Sequence, residues 1–255
     1  MRMRTCPSLL VVLLTAWLSM SRTYGQEKGI PLSPDLTKIS AEKGWSLHNV
    51  TANEAVEIDG KSAVRLKAKA DSITGVAGLV LADGVEFTTG AIEIDLKGKS
   101  VRPSFLGVAF NAADEKRFEA VYFRPFNFNA GGEFKSRAVQ YIAWPEHPWN
   151  ELRKNRPGKC EGPVDSVPDP EKWFHARIEV EKKQVRVFVN AGKEPCLKVD
   201  RLAEGEKARP LGLFVDTGSA GPLAAKAVRR PRPRHLRGRA ATRRRVLAPP
   251  ARYLG

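Results

Sequence analysis

Phe105–Asn111 reads FLGVAFN, Phe118–Phe128 reads FEAVYFRPFNF and Arg137–Trp149 reads RAVQYIAWPEHPW. These are short runs of β-branched and aromatic residues that stop where Gly, Asn and Pro gather, the composition of β-strands joined by turns. Rings in these runs stand beside arginine and glutamate. That combination suits a sugar ligand: rings stack on apolar sugar faces while polar groups bond hydroxyls. The same residues equally suit the core and rim of an all-β domain, and both readings are carried forward.

The period-two signal continues on either side. Ile92, Ile94 and Leu96 alternate with Glu93 and Asp95; Phe174, Ala176, Ile178 and Val180 alternate with His175, Arg177 and Glu179; Val185, Val187 and Val189 repeat the pattern. Such alternation marks strands with one buried face. Ala63–Ala68, Gly78–Leu81, Phe105–Phe110, Phe118–Arg124, Ala138–Ala143 and Leu211–Val215 fit it too, with turn signals at Asp59-Gly60, Asp83-Gly84 and Asn190-Ala191-Gly192. No long helical stripe is visible. The expectation is one all-β domain over residues 26–220, an antiparallel β-sandwich or jelly roll. The one long irregular stretch, Trp144–Lys172, is rich in proline.

The two ends read differently from this body. Arg2 and Arg4 precede the apolar run Leu9–Leu18, and Thr23-Tyr24-Gly25 follows as a cleavage region. Residues 1–25 are therefore expected to be a secretory signal peptide, too short to span a bilayer, which places the domain as secreted or periplasmic. The formal net charge is +15, but the segment from Gly221 onward holds Lys226 and ten arginines with no acidic residue. Without both ends the body is nearly balanced, at 29 basic residues against 28 acidic. No nucleic-acid partner is expected for such a body. The 221–255 tail is built of Arg, Ala, Pro, Leu and Gly, residues that GC-rich codons specify in any frame. A frameshift product is the preferred reading; a disordered basic arm for nucleic acid or anionic surfaces and an inert solvated tail are the others.

After signal removal two cysteines remain, Cys160 and Cys196. An oxidising compartment would permit their pairing, worth about 3–4 kcal/mol in the chain-entropy model. Asp114, Glu115, Asp165, Asp169 and Asp216 are loop carboxylates without the ordered spacing of a calcium loop. No cofactor is expected, and calcium is the one ion left open. The sequence carries no nucleophile elbow, phosphate loop or dinucleotide fingerprint.

Read in order, GAIEIDLKG (Gly90–Gly98), FLGVAFN, VYFRPFN (Val121–Asn127), WFHAR (Trp173–Arg177), VFVN (Val187–Asn190) and LGLFV (Leu211–Val215) resemble the concanavalin A-like lectin/glucanase superfamily. The likeness is nearest to secreted bacterial proteins grouped with laminin-G-like and 3-keto-disaccharide hydrolase domains, and it runs from about Trp45 to Gly218. It implies a concanavalin A-like jelly roll that acts as a lectin, a glycoside hydrolase or a structural and adhesion module. It also implies a closing strand after a Gly-Ser turn. Gly218-Ser219-Ala220-Gly221 supplies the turn, but the basic tail follows, so a missing strand and an incomplete core are expected.

The candidate residues follow from both readings. Tyr122 and Arg124 share a strand face and would present a ring and a guanidinium together. Gln140, Arg137 and Tyr141 lie on an expected neighbouring strand, while Trp144, His147 and Trp149 occupy the Pro-rich loop. Tyr122, Arg124, Gln140, Trp144 and Trp149 are the candidate carbohydrate contacts. Glucanases of the superfamily use Glu-x-Asp-x-x-Glu; here Glu93 and Asp95 fit its start, but Gly98 replaces the second Glu. A cleaving enzyme needs two carboxylates, and Glu119 with Glu93 or Asp95 is the available set. His175, on a polar strand face, is expected to be uninvolved.

Overall fold

The pleat sends successive side chains to opposite faces, and interstrand register decides which of them meet. The computed structural model describes residues 30–32, 34–41, 43–69, 77–165, 168–203, 207–216 and 219–230. The expected signal segment and the tail beyond residue 230 lie outside the described residues. Among the described residues the strands are β1 (Ile30–Leu32), β2 (Trp45–His48), β3 (Val50–Ile58), β4 (Lys61–Ala68), β5 (Gly78–Phe87), β6 (Gly90–Lys97), β7 (Leu106–Asp114) and β8 (Arg117–Phe123). They continue with β9 (Val139–Trp144), β10 (Glu161–Gly162), β11 (Trp173–Val180), β12 (Gln184–Val189), β13 (Leu197–Asp200), β14 (Arg209–Val215) and β15 (Ala220–Arg230).

A first sheet takes the order β13-β12-β11-β6-β15-β4-β3, with β1 added on β15, and a second takes β10-β9-β8-β7-β14-β5-β2. The pairings are antiparallel, so the expected all-β sandwich is the observed architecture. Each alternating run named from the sequence lies in an observed strand to within one residue. The core lies between the sheets. Ile92, Ile94, Leu96, Phe174, Ile178 and Val187 come from the first, and Leu106, Val108, Phe123, Tyr141, Leu213 and Val215 from the second. Phe174 joins the two layers, with its ring 5.2 Å from that of Phe123 and 5.1 Å from that of Phe128.

Three expectations change. Asp59-Gly60 is the expected hairpin turn, both residues at positive φ (54° and 71°) between the paired Ile58 and Lys61, the backbone of a two-residue primed turn. Asp83-Gly84, by contrast, lies inside β5, where the register against β14 shifts; the strand runs through it because β2 pairs along the other edge, Trp45 opposite Ala82. The closing strand, expected to be missing, is present as β15. It lies between β4 and β6, with Leu223 fully buried. Pro222 concealed it, since proline inside a run argues against a central strand. Finally, the Pro-rich stretch opens with a short helix, α1 (Trp149–Asn155), whose buried Leu152 holds it against the body.

Cys160 and Cys196 are both free thiols, not the pair the sequence permits. The backbone ties them to different sheets: the Cys160 carbonyl accepts from Tyr141 of β9, and the Cys196 amide donates to Val187 of β12. The Cys196 thiol bonds the Val187 carbonyl at 3.3 Å, and burial pushes its pKa up to about 12.

One carboxylate lies in the core. Glu119 of β8 faces inward with no exposure, and its oxygens accept from Tyr141 Oη (2.6 Å), Asn111 Nδ2 (2.9 Å) and Arg201 Nε (3.1 Å), with Arg201 Nη2 also in contact. A buried charge persists only when paired and hydrogen-bonded in this way. Glu119→Gln strands the buried Arg201 guanidinium and is expected to cost about 3–5 kcal/mol in denaturant unfolding. Leu223→Ala, measured the same way, is expected to cost about 2–5 kcal/mol because it opens a cavity under β15. A change below about 1 kcal/mol would place that strand outside the core.

Candidate functional site

The face of the second sheet turned away from the core is where register gathers chemistry. Leu79, Phe214, Gly107, Tyr122 and Gln140 form one row across β5, β14, β7, β8 and β9. Leu81, Gly212, Ala109, Ala120 and Ile142 form the next, and Phe118 pairs with Trp144 beyond it. The middle of this surface is therefore Gly and Ala, a low floor between aromatic walls. Gly107 is required by close approach: a Cβ there would lie 2.1 Å from the Val121 carbonyl and 2.6 Å from Tyr122 Cα. Without that Cβ, the Tyr122 ring reaches across β7 and stacks on Phe214 at 4.9 Å, 17° from parallel.

Three connected compartments follow β8 from Arg124 to Arg117, about 23 Å at strand rise. The first, about 300 Å³, is lined by Phe105, Tyr122, Phe126, Phe134 and Trp149, by Arg102, Arg124, Arg137 and Arg153, and by Asp216. The central one, about 480 Å³, shares Tyr122, Trp149 and Asp216 with it and adds Phe118, Ile142, Trp144 and Phe214. The third, about 350 Å³, shares Phe118 and Trp144 and adds Asn111, Arg117, Glu146, His147 and Arg209.

At the first end the polar groups are held by one another. Arg124 Nη2 donates to Tyr122 Oη (2.9 Å) and Gln140 Oε1 (3.2 Å), and Nη1 donates to the Arg137 carbonyl (3.0 Å). Gln140 Nε2 is spent on the Tyr141 and Cys160 carbonyls. Arg153 grips Glu161 through both oxygens at 3.2 and 2.8 Å, with Arg137 at 3.8 Å and Arg124 at 4.0 Å from the same carboxylate. Burial pushes the Tyr122 phenol far above its usual range, while the Arg124 charge acts the other way. At neutral pH Tyr122 therefore keeps its proton, and its oxygen accepts from Arg124.

The five sequence-named contacts thus gather on one face, in different roles. Tyr122, Trp144 and Trp149 line the groove, as does part of Arg124; Gln140 is buried behind Arg124 and braces it. Trp149 is 43% exposed, at the start of α1, with the Arg153 guanidinium 4.9 Å from its ring. The carboxylates of a cleaving enzyme do not assemble. Glu119 is sealed in the core, while the alternation of β6 sends Glu93 and Asp95 to the outer face of the first sheet. There His175, named as uninvolved, sits between them, Nδ1 2.8 Å from Asp95 and Nε2 3.6 Å from Glu93, and Lys61 Nζ lies 2.5 Å from Asp95. Phe105 and Phe126 belong to the aromatic runs of the sequence but are not among its named contacts, and Asp216 appears there only as a loop carboxylate. Sequence reading missed Arg102, Phe134 and Arg153; of these, Arg153 alone carried a signal, four residues after Trp149 on what proves to be a helix.

Among the described residues no group of three or more His, Cys, Asp or Glu side chains is arranged to hold a metal ion. The loop carboxylates serve local turns instead: Asp114 accepts from the Lys116 amide and Asp169 from the Glu171 amide. Among the described residues no helix is long and apolar enough to cross a membrane.

No family model and no curated protein matches the chain. Solved structures do. A Bacillus subtilis protein of unknown function with a galectin-like fold superposes at a TM-score of 0.51, with 13% identity, over 80% of this chain and 97% of that one. The carbohydrate-binding module CBM66 from Bacillus subtilis gives 0.47 at 12% identity, covering 72% and 93%, and the Bacillus licheniformis β-glucanase gives 0.44 at 11%, covering 73% and 92%. At such identities the likeness concerns the fold alone. The galectin-like superposition agrees with the two antiparallel sheets, and the fold is a jelly-roll β-sandwich.

Proposed function

We propose that this domain binds a carbohydrate chain along the groove of the second sheet. The observation that carries the reading is the groove's construction: the rings of Phe105, Phe118, Tyr122, Trp144, Trp149 and Phe214 line it in succession, with arginine donors gathered at one end. A sugar ring has apolar C–H faces and a polar rim. Aromatic walls desolvate the faces, and a few fixed donors orient the rim. The length of the groove favours an oligosaccharide over a single sugar.

A glycoside hydrolase is the less favoured reading, because each compartment is lined by a single carboxylate, Asp216 in the first two and Glu146 in the third, where hydrolysis needs a pair. Secretion or periplasmic residence rests on the sequence of residues 1–25, and amino-terminal sequencing of exported protein tests it.

A glycan array probed with the full chain, with products analysed for each bound glycan, tests binding and cleavage together. Bound, intact glycans are the expected result; released products would make the protein a hydrolase, and silence from folded protein would leave an adhesion or structural role. Trp149→Ala is expected to weaken binding about tenfold, an energy near 1.4 kcal/mol, with little change in thermal midpoint because the ring is half exposed. Tyr122→Phe, which deletes the hydroxyl that holds Arg124 in place, is expected to weaken it less, by roughly 1 kcal/mol. The raised Tyr122 and Tyr141 phenols also predict a pH effect. A phenol held neutral in the folded state stabilises fully below its ordinary pKa, about 10, and loses that contribution as pH climbs above it. Stability is expected to fall above that point, with the phenolate absorbance of both residues appearing only as the chain unfolds.

A further inference from the structure

Resting on the carbohydrate reading, we infer that the first compartment selects an acidic sugar, one carrying a carboxylate or a sulfate ester, with that anionic group at Arg102. The wall of the compartment presents four guanidiniums, Arg102, Arg124, Arg137 and Arg153, against one carboxylate, Asp216. Behind the wall, Arg124, Arg137 and Arg153 all converge on the single carboxylate of Glu161. Two opposite charges fewer than the arginines demand leave a positive excess at this end, softened only at the rim, where Arg137 meets the exposed Glu133 at 2.6 Å.

The arginines are not equivalent. Arg124 spends its donors on Tyr122, Gln140 and the Arg137 carbonyl, Arg153 spends its fork on Glu161, and Arg137 bonds Glu133. Arg102 is held by rings, its guanidinium 4.8 Å from the centre of Phe126 and 5.4 Å from that of Phe134. Among the described residues it has no acidic partner and makes no side-chain hydrogen bond. A guanidinium fixed through cation–π contact keeps its N–H fork for an oxyanion, since two parallel N–H donors match two oxygens of a carboxylate or of a tetrahedral oxyanion. Phe126 is itself set edge-on against Phe105 at 5.3 Å, so the cation stands on packed rings at the groove's end. The sugar bearing the anion would lie between Arg102 and Trp149, and the rest of the chain would extend over Tyr122 toward Trp144.

The test is titration calorimetry of the full chain with galacturonate, glucuronate and mannuronate oligosaccharides, their carboxyl-reduced neutral counterparts, and a sulfated galactose oligosaccharide, at low and high salt. An acidic member bound at least tenfold more tightly than its neutral counterpart is expected, with the gap narrowing at high salt. Whether a uronate or the sulfated probe wins identifies the anion. In Arg102→Gln affinity for the acidic member should fall at least tenfold, further than affinity for its neutral counterpart, so that the gap closes, while the thermal midpoint stays put, since Arg102 is exposed; Arg102→Lys, which keeps charge without the fork, should retain part of it. Equal affinity for acidic and neutral members, or a gap untouched by Arg102→Gln, would overturn the acidic preference and leave carbohydrate binding standing. An acidic peptide bound as tightly as the acidic sugar would also overturn it, by reducing recognition to charge. Failure of the folded chain to bind any saccharide would overturn the carbohydrate reading and this inference with it.

Discussion

Both faces of β8 are buried, and the pleat divides the strand between them: Glu119, Val121 and Phe123 go to the core, and Phe118, Ala120 and Tyr122 to the groove. Much else in the sandwich answers this division. A carboxylate sent inward must be matched, and Arg201, Tyr141 and Asn111 converge on Glu119 from three other segments. A tyrosine sent outward beside a glycine can lie across the neighbouring strand, and Tyr122 does so over Gly107 to reach Phe214. One strand thus ties the interior electrostatics to the shape of the groove, because a shift of one residue would exchange the two faces.

Charge is handled in opposite ways on the two outer surfaces. On the first sheet it is balanced locally: Glu179 meets Arg177 and Arg186, and Asp95 meets Lys61 and His175. At the Arg102 end of the groove it is left unbalanced, with three guanidiniums around Glu161 and a fourth standing on phenyl rings. A body whose total charge is close to neutral can hold such a concentration because neutrality is a property of the sum, whereas recognition depends on the local field. Tyr122 lies next to that field with its phenol held neutral by burial and its oxygen accepting from Arg124.

Sequence and structure agree where the signal is local. Alternation in Phe174–Val180 names both the buried face and the charged one, and Asp59-Gly60 names its hairpin, because pleat and turn geometry involve residues a few positions apart. Tyr122 and Arg124 could likewise be paired from their spacing. Agreement fails where the deciding neighbour is distant in the chain. Pro222 hid β15, whose place depends on β4 and β6; Asp83-Gly84 reads as a turn until β2 and β14 draw it out as a strand; and Glu119 reads as a candidate catalytic carboxylate until Arg201, 82 residues away, covers it. Arg102 and Asp216 carry no motif, and they become part of the groove through the loops that frame it.

The sequence by itself determined the fold class, the alternating strands and the shared face of Tyr122 and Arg124, since hydrophobic burial and the two-residue pleat act over short stretches. Tertiary structure alone decided that Glu119 is a core ion, that Cys160 and Cys196 are tied to different sheets, and that four arginines from separate segments meet at one end of the groove. Register between strands and the path of loops are long-range quantities, set by how two sheets close over a common core and absent from any single run of residues.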